Sequence, residues 1–257
     1  MKAHTFVAVI ACCLAATSLF AGDAKAKPPV VEKCADTPLP VDFDPTSAAS
    51  VRKALKGSAR IFFVRLQKNH AALQQLLAGG ENANVCALGS SVLAYSAAAG
   101  ELEEVTILLD GGADPDRPFA AGGSTPLFNA LGAGHFDVAK LLLARGANPL
   151  HKTDGGLTAL HELAIANLRG NASSKQLEMA SELIFRGAPV NSQMDIQRTT
   201  PLMMAALRGN VALVDLLLRS GADAKLANAK GETAVTFANR RGHRESADRL
   251  NLALSKP

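Results

Sequence analysis

The chain has 257 residues, enough for one elongated domain, and 48% hydrophobic residues with 21 Gly, no Trp and one Tyr suit closely packed helices. A formal net charge of +4 is mild, and aromatics at 4% do not interleave with cations, which argues against a nucleic-acid partner. The charge is unevenly placed: residues 196–257 carry ten Lys and Arg against five Asp and Glu, whereas 27–195 carry fifteen against seventeen, so the C-terminal end is the basic one.

Residues 1–26, MKAHTFVAVIACCLAATSLFAGDAKA, open with Lys2, run uncharged from Thr5 to Gly22 and end in small residues around Ala21, Ala24 and Ala26. That order predicts a secretory signal peptide, removed after Ala24 or Ala26, and a periplasmic or secreted chain with no stable membrane insertion. A retained anchor is the competing reading, set back by a run that is short, Ala-rich and weakly flanked. Val9-Ile10-Ala11-Cys12 has the form of a lipoprotein cleavage site, a minor alternative because the apolar run ahead of it is too short.

Residues 27–45 hold Pro28, Pro29, Pro38 and Pro40 ahead of Pro45 and show no periodicity, which predicts an extended arm. Asp44-Pro45 then reads as the cap and first turn of a helix over 46–57, TSAASVRKALKG, placed to cover the end of the helical array that begins near residue 58. Cys12 and Cys13 leave with the signal, so the mature chain keeps Cys34 in the arm and Cys86. In an oxidising compartment a bridge between these two would close a loop of about 50 residues and contribute about 4 kcal/mol by the chain-entropy estimate. Two unpaired thiols are the alternative, since the spacing resembles no metal site.

From 58 to 252 the chain repeats itself. Placing Thr125 over Ser91, Thr158, Thr200 and Thr233 gives steps of 34, 33, 42 and 33 residues. Gly follows nine positions later at Gly100, Gly134, Gly209 and Gly242, and twenty-one positions later at Gly112, Gly146 and Gly221. The long step holds an insertion around Gly170-Asn171-Ala172-Ser173-Ser174, polar and breaker-rich as a surface loop is. A worn unit precedes these, with Lys68-Asn69 where others have Gly-His, so the repeats lie near 58–89, 90–122, 123–155, 156–197, 198–230 and 231–252, with a tail over 253–257.

Within each unit the chemistry predicts two short helices. Thr or Ser caps the first, Pro126 and Pro201 sit at its first position where a missing N–H costs nothing, and the ninth-position Gly stops it. Leu127, Ala130 and Leu131 share one face, and Val138, Leu141 and Leu142 give the second helix its stripe, so helices are expected near 125–133 and 135–144. Neither stripe is buried within one unit, so neighbours must stack. The last helix, from His243 on, mixes Arg244, Glu245, Asp248, Arg249 and Asn251 with apolar residues, as a terminal helix with one wet side would.

The Thr-Pro-Leu openings (Thr125-Pro126-Leu127, Thr200-Pro201-Leu202), the Gly-His pairs (Gly134-His135, Gly242-His243) and the Leu-Leu-x-x-Gly-Ala-Asp/Asn closes ending at Asp114, Asn148 and Asp223 resemble the ankyrin-repeat family. The resemblance implies an all-α fold, an ankyrin-repeat solenoid of about five to six helix pairs with short β-turn loops. Members often carry His at the fourth position of the opening, bonding within and between repeats; only His161 does so here, and it is read as structural, against Ala94, Phe128, Met203 and Thr236 in the other repeats.

Catalytic and cofactor sites are not legible. His161-Glu162 opens like a zinc-protease motif, but Ile165 stands where the second His is needed; Ser50-Val51-Arg52-Lys53 lacks the sheet domain its motif requires. The glycines sit at helix ends with the repeat period, so no phosphate loop, cofactor or metal site is expected, and the chain is read as no enzyme. It is read instead as a monomer that binds a protein partner, acidic in character, outside the cytoplasm. The family resemblance implies contact through loop tips (Arg117, Phe119, Leu150, His151, Lys152, Ile196, Gln197, Arg198, Lys230) and first-helix positions (Leu207, Arg208, Arg240, Arg241) on a concave face. Inhibition or protection of an exported enzyme or toxin is the alternative role.

Overall fold

The computed structural model describes residues 59–87, 89–118, 122–166 and 174–255. The signal peptide, arm and capping helix expected over 1–57, with Cys34, lie outside the described residues, as do Phe119 and the inserted residues 170–173. Twelve helices and one two-stranded ribbon are described, in two compact units. The first runs to Ser96 and takes in Glu101–Ala121; the second holds Ala97–Gly100 and everything from Gly122. The fold is all-α and built of repeated helix pairs.

In the first unit α1 (Ala59–Leu66) and α2 (His70–Ala78) form the worn repeat, and α4 (Leu102–Asp110) packs on α2. The turn between α1 and α2 shows how Lys68-Asn69 replaces Gly-His. Lys68 takes φ 52°, the left-handed conformation that glycine adopts at lower cost, while Asn69 Oδ1 accepts from the Ala72 N–H at 3.0 Å and caps α2. Ile61, Phe62, Leu73, Val105 and Leu108 are buried, with the Phe62 ring edge-on to Tyr95 at 5.3 Å. The loop that closes this repeat is a ribbon of β1 (Cys86–Ala87) and β2 (Ser90–Ser91), a small strand element that helical periodicity does not signal. Helix α3 (Val92–Ala99) comes directly after it, capped by Ser91 Oγ on the Ala94 N–H.

One buried charge cluster sits in this unit. Glu104 is 1% exposed on α4, and its carboxylate meets Arg65 Nε at 2.7 Å and accepts from the Ser96 hydroxyl, whose oxygen also lies 2.9 Å from Val92 O. Burial pushes the Glu104 carboxyl upward, opposed by the Ser96 hydrogen bond and the Arg65 charge.

The second unit carries four helix pairs: α5 (Pro126–Ala133) with α6 (Phe136–Ala144), α7 (Ala159–Ile165) with α8 (Ser174–Phe185), α9 (Pro201–Arg208) with α10 (Val211–Arg219), and α11 (Ala234–Arg240) with α12 (Arg244–Leu254). First helices pack on first helices, α5 on α7, α7 on α9 and α9 on α11; second helices do likewise, α6 on α8, α8 on α10 and α10 on α12. The apolar stripes are thereby covered: Leu127, Leu131, Leu160, Leu163, Leu202, Leu213 and Leu217 are at most 2% exposed, each contributing roughly 2 kcal/mol by burial. In α12 only Ser246, Ala247 and Leu250 are buried, so its outer side stays wet.

The caps follow the sequence unevenly. Thr200 Oγ1 accepts from the Met203 N–H at 3.3 Å, whereas Thr125 has the same extended cap geometry but its buried hydroxyl finds no partner among the described residues. His161 fulfils the role expected of its position. Its Nε2 donates to Thr199 O of the next repeat at 2.9 Å, which leaves Nδ1 to accept from the Thr158 N–H at 3.2 Å. Burial holds its imidazole below the ordinary value of 6.5.

Candidate interaction surface

The loops of the second unit are tied tip to tip. Asp154 N–H donates to Gly122 O, Asp195 N–H to Gly155 O and Ala229 N–H to Gln197 O, at 3.2, 3.1 and 3.0 Å. These bonds stack successive tips in line, so a side chain at one tip stands beside its counterpart at the next. Gln193 Nε2 adds a side-chain rung, bridging Arg198 O and Ala227 O at 3.0 Å each. Asn191 ties the bases of the same loops, donating to Gly221 O and accepting from the Asp223 N–H at 2.9 and 2.8 Å.

On this row Ile196 is 79% exposed and Leu150 50%, large apolar groups that no packing requires to be there. Lys152, Gln197 and Lys230 line the same loops and are all exposed. His151 differs: its Nε2 meets Gly123 O at 2.7 Å and its ring stands edge-on to Phe128 at 5.9 Å, so it fixes the loop. Arg198 is also committed, at φ 52° with its guanidinium on Gln193 Oε1 at 3.1 and 3.2 Å. In the first unit Arg117 is half-buried, with Nε 3.4 Å from Cys86 Sγ.

The helix-end arginines do not act as one free patch. Arg208 reaches back to α7 and donates through Nη2 and Nε to Ile165 O at 2.8 and 3.2 Å. In sequence the α7 repeat has Asn167 where four others have Gly, and the Ile165 carbonyl, at the end of α7, takes a cation from the neighbouring repeat. Arg240 pairs with Glu232 at 2.9 Å and lies over the Phe237 ring at 4.7 Å. Arg241, at the end of α11, is exposed, and its side chain makes no hydrogen bond or ion pair among the described residues. Leu207 is half-buried.

A second exposed feature lies on the second helices. A groove of about 610 Å³ runs between α8 and α10, edged by Phe185, which is 87% exposed. Sequence reasoning passed over it, although a signal exists. The x of Leu-Leu-x-x-Gly is Asp110, Ala144 and Arg219 in other repeats and an aromatic only at Phe185.

Among the described residues no three His, Cys, Asp or Glu are grouped to hold a metal ion, and no helix is long and apolar enough to cross a membrane. His161 is wholly buried between repeats and out of reach of a substrate.

A family model described as ankyrin repeats, in three copies, matches residues 61–154 and 168–252. A putative ankyrin repeat-containing protein of Treponema pallidum is 36% identical over 41% of this chain and 33% of its own length. The human ankyrin repeat and SOCS box protein 16 is 34% identical over 57% of this chain and 30% of its own, and the Drosophila melanogaster ankyrin repeat and KH domain-containing protein mask is 34% identical over 44% and 3%. The chain thus spans at most about a third of the length of these relatives.

Proposed function

The chain belongs to the ankyrin-repeat family, and on that premise we propose that it is a non-enzymatic scaffold that holds a partner protein along the loop tips of its second unit, outside the cytoplasm. Ankyrin repeats are protein–protein interaction modules. The observation that carries the finer reading is the row of loops whose tips are tied by backbone bonds and on which Leu150 and Ile196, exposed apolar groups, stand with the cations Lys152 and Lys230. Aligned tips are pre-organised, so little loop entropy is lost on binding. Their chemistry suits a partner surface with apolar spots flanked by carboxylates. The Lys2-led, uncharged N-terminal run supports export.

Capture from an envelope extract by the immobilised chain tests the reading. Wild type should retain a defined protein that the Leu150→Asp, Ile196→Asp variant loses, with melting temperature unchanged. Equal capture by both would move the binding surface off the tips.

A further inference from the structure

We propose that the groove between α8 and α10 is a two-fold interface with a second copy of this chain. This face is separate from the tip row, because second helices alone form it. The groove carries a knob and a hole at opposite ends. Phe185 and Arg219 end α8 and α10 at the same repeat position, and both are exposed. The starts of the two helices line the other end with Ser174, Leu177 and Ala212, small or half-covered residues that leave the cavity open.

A two-fold axis across the groove lays α8 antiparallel to its copy. Each Phe185 ring then enters the space over Ser174 and Ala212 of the other chain, and each Arg219 comes to the acidic edge that Glu178 gives α8. The charges fit this register. The Arg219 guanidinium has no hydrogen bond or ion pair among the described residues, while Glu178 meets Lys140 at 3.0 Å in a pair that is 59% and 47% exposed and so free to take a second cation. A shape that fits its own rotated copy is what an isologous contact requires, and an exposed aromatic beside an arginine is the composition of an interface centre. A neighbouring cavity of about 480 Å³, which also borders Arg219 and includes Leu252, widens the same face toward the area a stable dimer needs.

Sedimentation velocity on the purified full chain, over a concentration series reaching about 100 µM, tests this. Wild type should reach a concentration-dependent dimer. Phe185→Asp should weaken it at least tenfold while circular dichroism and melting stay as in wild type, because the side chain is exposed. Arg219→Glu and Glu178→Arg should each weaken the dimer, and their combination should restore it, since every interface would contain the pair twice. A monomer at all concentrations overturns the proposal and leaves the groove to a different occupant. A dimer indifferent to Phe185→Asp, or a charge swap that restores nothing, overturns it equally.

Discussion

A Cβ built on Gly209 would lie 2.4 Å from Nδ1 of His243, so the glycine that ends α9 is seated against the imidazole that opens α12 one repeat later. Gly100 and His135 stand in the same relation at the same distance. The Gly-His signature is therefore an inter-repeat contact, with the glycine's missing side chain making room for the next repeat's ring.

Gly209→Ala should accordingly cost more than Gly221→Ala. Both glycines have positive φ, 67° and 88°, but a Cβ on Gly221 meets nothing within 4 Å. The backbone term alone is about 1 kcal/mol, and displacing the His243 ring should at least double it. Chemical denaturation of the two variants compares them, and equal losses would mean the ring gives way freely.

His161 makes acid stability a property of one side chain. Its folded value is depressed by burial, so the unfolded chain takes up its proton first as pH falls below about 6.5. Stability contributed by the neutral ring is complete above that pH and declines below it. His161→Met, which copies the neighbouring Met203, should cost about 1 kcal/mol at neutral pH, because Thr199 O keeps its bond from the Met194 N–H. It should also flatten the decline between pH 7 and 5, as unfolding free energies across that range would reveal.

In the first unit, Arg65→Met should be the most damaging single change, at about 3 kcal/mol, because it strands the buried Glu104 carboxylate. Glu104→Gln keeps a partner for Ser96 and should cost less. With Arg65 gone, the raised Glu104 carboxyl binds its proton more tightly in the folded chain, so the loss should grow as pH rises and shrink toward pH 5. Melting curves of both variants at two pH values decide the order.

The proposed bridge between Cys34 and Cys86 predicts no free thiol in exported, unfolded wild type and one after Cys34→Ser. Two titratable thiols in wild type would end that proposal. N-terminal sequencing of the same material would test cleavage after Ala24 or Ala26.

The repeats were legible because the period is carried by residues with obligatory local roles. Pro126 and Pro201 open α5 and α9, Gly134 and Gly209 close them, and the helices expected near 125–133 and 135–144 are observed at Pro126–Ala133 and Phe136–Ala144. His161 was legible as structural for the same reason. The surface was not, because a residue's position in the repeat says which way it leaves the helix and nothing about what it meets. Arg208 occupies a contact position yet is drawn to Ile165 O, about forty residues away in sequence, and Arg240 is drawn to Glu232. Phe185 shows the opposite failure, an exposed ring inside a stretch that periodicity reads as core.

Site-specific photocrosslinking in living cells tests the central claim most directly. A benzophenone amino acid placed at Ile196, and separately at Leu150, should give one adduct of the same mass with a partner protein, whereas placed at Leu252, exposed on the second helices, it should give no adduct of that mass and at most one with a second copy of this chain. The partner adduct at Leu252 with none at Ile196 or Leu150 would contradict a scaffold that binds through its loop tips.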